Sequence, residues 1–275
     1  GQDGAPTGVP DGSKTVLLAA ADDHLVDLGF FSIVDALTPC RQSGGVRLRY
    51  AGKIGGEFTE LMQRVSAMAD RMGIAHRVLD IDSSGGRLED AMRAGDAIAE
   101  SRWAIDVRDG AICHSACSLV LAAGDDRRID GLVGIHRMIR IGSLATSRAE
   151  VSQELREVYG KMKDYLERNG ASVAVADLMM TVPNRSLRLL SAEELQAYGL
   201  SGTNAVQDDL DRIRLTRQCG DEFVKRKDAF ARAFDAQCAS RDGAEAKRSC
   251  DLELRARLEF PEDSCRSDRP LAKSS

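Results

Sequence analysis

Apolar positions follow two alternating rhythms over the first two thirds of the chain. In 47-VRLRYAGKI-55 they alternate with polar ones, as on a strand with one buried face. In 57-EFTELMQRVSAMADRMG-73, Phe58, Leu61, Met62, Val65 and Met68 share one face of a helix that stops at Gly73. The pair then repeats: 77-RVLDID-82 reads as a strand, 83-SSGG-86 as a turn, 87-RLEDAMRAGDAIAES-101 as a helix and 103-WAIDVR-108 as a strand. Strands separated by helices need crossover connections, so the pattern predicts an α/β fold with a mostly parallel sheet.

Further along, a short apolar helix is predicted over 116-ACSLVLAAG-124 and a strand over 128-RIDGLVGIH-136. A long helix follows, 147-SRAEVSQELREVYGKMKDYLERNG-170, with Val151, Leu155, Val158, Met162 and Leu166 on one side. Such a stripe serves equally to face a core or another copy of the chain, so a homo-oligomer stays open. The segment 191-SAEELQAYGL-200 carries a capping box, Ser191 with Glu194, and ends at Gly199. Beyond it the character changes to two helical stretches, roughly 207 to 238 and 244 to 258. The expected organisation is a leader over 1–13, rich in Gly and Pro and read as disordered, an α/β domain over 14–206 and a Cys-rich helical hairpin over 207–275.

Composition narrows the class. Of 275 residues 43% are hydrophobic and 29% charged, as in a soluble globular protein. The net charge of -5 is spread through mixed-sign runs such as 224-VKRKDAFARAFD-235, which argues against nucleic acid as a partner. The longest apolar run, 15-TVLLAAA-21, is too short to cross a bilayer. No G-x-x-x-x-G-K-[ST] loop is present and nothing calls for a cofactor.

The chemistry converges on 111-AICHSACSL-119. Ser115 follows a strand and opens a helix, the position where reactive groups collect in α/β sheets. Serine needs a base, and His136 ends the next predicted strand. The turn 83-SSGG-86 ends the preceding strand, and its Gly86 amide can pair with that of Ala116 as an oxyanion hole. His114, next to the serine on an extended chain, should point to the opposite side and read as a packing residue.

The series I-D-S-S-G-G-R (81–87), C-H-S-A-C (113–117), G-I-H-R (134–137) and L-S-A-E-E-L-Q-A-Y-G-L (190–200) resembles the ClpP/crotonase superfamily. Within it the chain is similar to ClpP-like serine proteases and their bacterial periplasmic relatives with a C-x-S-A-C motif, over roughly residues 45 to 206. The resemblance implies a repeated ββα/βαβ core and a serine peptidase acting on peptide or protein substrates. It assigns Ser115 as nucleophile, His136 as general base, and the Gly86 and Ala116 amides as the hole. The family's acid would precede 189-LLSAEEL-195, where this chain has 182-VPNRSLR-188 and no carboxylate. Loss of that acid costs on the order of 10⁴ in turnover. Asn184, Ser186 or a backbone carbonyl is then left to orient His136, with Asp177 a further candidate; otherwise the chain is a weak or inactive relative that binds through its hairpin. A Ser-Lys dyad through Lys53, or acyl-CoA chemistry of the crotonase type, are lesser alternatives.

Seven cysteines, four of them (Cys219, Cys238, Cys250 and Cys265) near the C-terminus, favour an oxidising compartment, periplasmic or secreted. Cys113 and Cys117 suggest a disulfide bracing the Ser115 turn, with Cys40 either the odd cysteine or an alternative partner. Antiparallel tail helices would pair Cys238 with Cys250 and Cys219 with Cys265. The inner bridge would close about 13 residues, worth roughly 3 kcal/mol. A zinc site on Cys113, Cys117, His114 and His136 is disfavoured, because closing four ligands would bury the serine's turn.

Overall fold

The computed structural model describes residues 14–18, 22–25, 27–138, 143–183 and 185–258. The proposed leader, Asn184 and Cys265 lie outside them. Two compact units meet between Gln207 and Asp208.

The first unit opens with β1 (Lys14–Leu18), β2 (Asp22–His24) and α1 (Phe30–Ser43). Helix α1 was not expected; Pro39 breaks its sequence pattern, yet Ile33, Leu37 and Cys40 still bury one face. The predicted alternation then appears as β3 (Gly45–Ala51), α2 (Gly56–Met72), β4 (His76–Asp82), α3 (Leu88–Glu100) and β5 (Ala104–Val107). Next come β6 (Ile112–His114) and α4 (Cys117–Ala122).

The run 128–136, expected as one strand, is instead two: β7 (Asp126–Ile129) and β8 (Leu132–Ile135), which belong to different sheets. The chain turns at Asp130 and Gly131, whose amides both donate to the Val107 carbonyl, at 2.8 and 2.9 Å. Then follow α5 (Arg148–Arg168), α6 (Ala174–Thr181), β9 (Arg188–Leu189), α7 (Ala192–Ala197) and β10 (Gly202–Thr203). The capping box of Ser191 and Glu194 opens α7.

Among the described residues these strands form a seven-stranded sheet, order β10-β7-β5-β4-β3-β1-β2, and a three-stranded sheet, order β6-β8-β9. Strands β3, β4, β5 and β7 run parallel, with antiparallel β1, β2 and β10 toward the edges. The α/β class and mostly parallel sheet follow the predicted alternation. Phe58, Leu61, Met62, Val65 and Met68 of α2 are all buried, in one core with Leu48, Tyr50, Leu79, Ile81 and Ile105. Each such side chain contributes about 1.5–3 kcal/mol. Trp103, fully buried, donates its indole N–H to the Ser66 hydroxyl at 2.9 Å, tying α2 to the start of β5.

The opposite face of the parallel strands carries a row of charges. Register aligns Arg49, Asp80, Asp106 and Arg128 across β3, β4, β5 and β7. Arg47 reaches both Asp80 (2.5 Å) and Asp106 (2.9 Å), and Arg128 lies 3.0 Å from Asp106. Parallel sheets ordinarily bury apolar side chains on both faces. Here paired ions fill that role, and removing one buried aspartate would leave arginines unmatched.

The second unit contains most of α8 (Ala205–Cys219), then α9 (Asp221–Gln237) and α10 (Ala244–Arg257). The first expected helical stretch is thus broken at Gly220, whose φ of 83° lies in the left-handed region. Helices α9 and α10 are stapled by Cys238–Cys250 over a small cluster that includes Leu254, Phe230 and Phe234. Cys219 is also disulfide-bonded.

Candidate active site

Strand β6 is held on two sides. It runs parallel to β8, pairing Cys113 with Val133 and His114 with Gly134. On its other side Ser83 donates its amide to the Ile112 carbonyl (2.7 Å) and accepts from the His114 amide (2.9 Å). Asp82 adds a side-chain acceptor, its Oδ1 taking the Ile112 amide at 3.0 Å. The ends of β4, β6 and β8 therefore meet at one edge.

Ser115 closes β6. Its amide donates to the Gly134 carbonyl at 2.8 Å, which ties it to β8, whose last residue, Ile135, directly precedes His136. Its φ is 55°, a left-handed conformation that costs a non-glycine residue about 1–2 kcal/mol. Three features hold it there. The Ser115 carbonyl accepts from the Ser118 amide (3.0 Å) and hydroxyl (2.7 Å). The Cys113–Cys117 disulfide, with both cysteines fully buried, spans the turn with its α-carbons 5.2 Å apart. Gly85, itself at φ 98°, packs against it so closely that a β-carbon there would lie 2.8 Å from that of Ser115. Ser115 itself stays only half-buried.

The amides of Gly86 and Ala116 have no acceptor among the described residues. Around Gly86, Ile54 donates to the Gly85 carbonyl (2.9 Å) and accepts from the Arg87 amide (2.8 Å). Extended backbone alternates its polar groups, so the intervening Gly86 N–H points away from Ile54. Ala116 is fully buried, where an unpaired N–H is rare.

His136 is half-buried, and its Nδ1 lies 2.8 Å from the carbonyl oxygen of Arg137. A carbonyl only accepts, so this contact places the proton of neutral His136 on Nδ1 and the lone pair on Nε2. Ser186 is exposed, its amide donating to the Pro183 carbonyl at 3.0 Å, and its hydroxyl makes no hydrogen bond among the described residues. Asp177 is engaged elsewhere, accepting from the Tyr159 hydroxyl at 2.8 Å. Lys53 is exposed on the turn after β3, where its carbonyl accepts from the Tyr50 hydroxyl.

His114 packs over Gly134, its Cδ2 lying 3.1 Å from where a Gly134 β-carbon would be, with Leu187 beside it. Its Nε2 is buried without a hydrogen-bond partner among the described residues. Burial, and then the neighbouring His136, hold the His114 imidazole below its ordinary pKa, while Asp82 pulls the other way. No group of three or more His, Cys, Asp or Glu fit to hold a metal occurs among the described residues.

Sequence reasoning missed Asp82 and Gly85; it allowed for a backbone carbonyl beside His136 without saying that it would be that of Arg137. Ser83 and Gly85 had a legible signal: a serine two residues before a glycine favours the turn in which the Ser83 hydroxyl accepts from the Gly85 amide, here at 3.1 Å.

No family model and no curated protein matches the chain. Among solved structures, a mutant of the 1510-N membrane-bound stomatin-specific protease is similar, at 16% identity over 62% of this chain and 82% of that chain, with a TM-score of 0.42. Another mutant of that protease, in complex with a substrate peptide, is 18% identical over 62% of this chain and 78% of that one, with a TM-score of 0.44.

Proposed function

We propose that the first unit is a serine hydrolase of ClpP-like type that cleaves peptide bonds. The observation that carries this reading is the juxtaposition of the strained Ser115 turn with two amides, Gly86 and Ala116, that have no acceptor of their own among the described residues. In this mechanism Ser115 Oγ attacks the scissile carbonyl carbon while His136 Nε2 takes its proton. The carbonyl oxygen, now an anion, accepts from the Gly86 and Ala116 amides. His136 returns the proton to the departing amine, and water then repeats the sequence to release the acyl group.

The missing carboxylate is replaced by the Arg137 carbonyl, which fixes the imidazole's tautomer and direction. A neutral dipole stabilises imidazolium less than a carboxylate does, so turnover is slow for a serine peptidase. The Cys113–Cys117 and Cys238–Cys250 disulfides support an oxidising compartment, periplasmic or secreted.

A fluorophosphonate probe tests the reading. It labels the wild-type chain at one site and leaves Ser115→Ala unlabelled; equal labelling of both removes Ser115 from the role.

A further inference from the structure

We infer that the groove beside His136 binds substrate segments that combine apolar and acidic side chains; this rests on the hydrolase reading above and gives it a substrate class. The groove holds about 500 Å³, the size of pockets that enclose a small ligand or a few residues of peptide. Its wall begins at Arg137, the residue whose carbonyl holds His136, so it is continuous with the reacting centre. The Met138 amide donates to the Met179 carbonyl at 2.8 Å, and this bond joins the chain after His136 to the end of α6, next to Met180 in the lining.

The floor is apolar: Val151 and Leu155 of α5 with Met180 of α6. Val151 is 44% exposed, although it lies on the same stripe as the buried Val158, Met162 and Leu166. The stripe thus runs out of the core and into the groove. Three arginines, Arg137, Arg148 and Arg156, stand around this floor.

The acids nearby are committed. Glu150 accepts from the Thr146 amide (2.8 Å) and Glu154 from the Ser143 hydroxyl (2.7 Å). Arg137 and Arg148 make no ion pair among the described residues, and Arg156 donates only to the Ser152 hydroxyl, at 3.1 Å. An apolar floor with unmatched cations complements a segment such as Leu or Met flanked by Glu or Asp. It repels one flanked by Lys.

The test uses the full-length Ser115→Ala chain and fluorescent peptides of one sequence in which Leu is flanked by Glu, Gln or Lys. Polarisation at low salt should give an affinity order of Glu, Gln, Lys, with at least about tenfold between the extremes, shrinking as salt screens the charges. Arg148→Glu/Arg156→Glu should abolish the order. Arg148→Gln/Arg156→Gln should weaken it partway and guards against misfolding of the reversal.

Equal binding of the three peptides, or discrimination that survives both double variants, overturns the proposal. So does a dimer in sedimentation that the charge reversal dissolves, which would make the groove an interface between copies. If the wild type resists the probe while the peptide order holds, the hydrolase reading fails and the binding groove stands.

Discussion

Gly85 lies directly against Ser115: a β-carbon on the glycine would come within 2.8 Å of the serine β-carbon and 2.7 Å of the His114 carbonyl oxygen. Gly85→Ala should therefore push the turn out of shape at a position where its own φ of 98° already disfavours a side chain. We expect a stability loss of about 1–3 kcal/mol in chemical denaturation. Probe labelling of Ser115 should fall more steeply than stability, because the turn moves before the fold is lost.

The Cys113–Cys117 bridge closes a very short loop. In the chain-entropy model, removing it with Cys113→Ala/Cys117→Ala costs about 2 kcal/mol. Both sulfurs are buried, so dithiothreitol applied to the native protein should act slowly, after local opening. The measurement is the labelling rate of three samples: wild type, wild type freshly treated with dithiothreitol, and the double variant. The first two should agree and the third should be slower.

His114 gives stability a pH dependence. Its folded-state pKa lies below the ordinary histidine value of about 6.5, so on acidification the unfolded chain binds the proton first. Its contribution is complete above that value and is lost as pH falls through and below it. Melting temperatures between pH 7.5 and pH 5 should accordingly fall less for His114→Gln than for the wild type. Identical slopes would remove His114 as the source.

Helix α4, behind Ser115, is anchored from α5. The buried Tyr165 hydroxyl donates to the Leu119 carbonyl at 2.9 Å, and burial holds its phenol far above the usual tyrosine range. Gly95 of α3 leaves room for it: a β-carbon there would fall within 1.8 Å of the hydroxyl. Tyr165→Phe should cost about 1–2 kcal/mol. Gly95→Ala should destabilise even though alanine favours helix by about 1 kcal/mol. Adding Tyr165→Phe should relieve part of that loss, so the double-variant cycle is non-additive.

What could be read from the chain divides along physical lines. Helical and strand periodicity are local, and they revealed α2 with the buried stripe of Phe58, Leu61, Met62, Val65 and Met68 and the β3–α2–β4–α3–β5 order. Pairing between strands is not local. Nothing around Asp80 shows that it will lie beside Asp106 and share Arg47, and nothing in 128–136 shows that Gly131 divides two sheets rather than continuing one strand. The turn at Ser115 was legible because its chemistry lies in side chains. A backbone carbonyl could be named as one candidate to hold His136 but not placed at Arg137, since a carbonyl has no residue signature.

That acceptor also changes what genetics can see. A carboxylate that orients an imidazole can be deleted by one codon change, but the Arg137 oxygen survives every substitution at its position and is lost only if the chain takes another path. A screen of acidic residues for loss of activity would thus return nothing at this point of the site, and the silence would be a property of its construction.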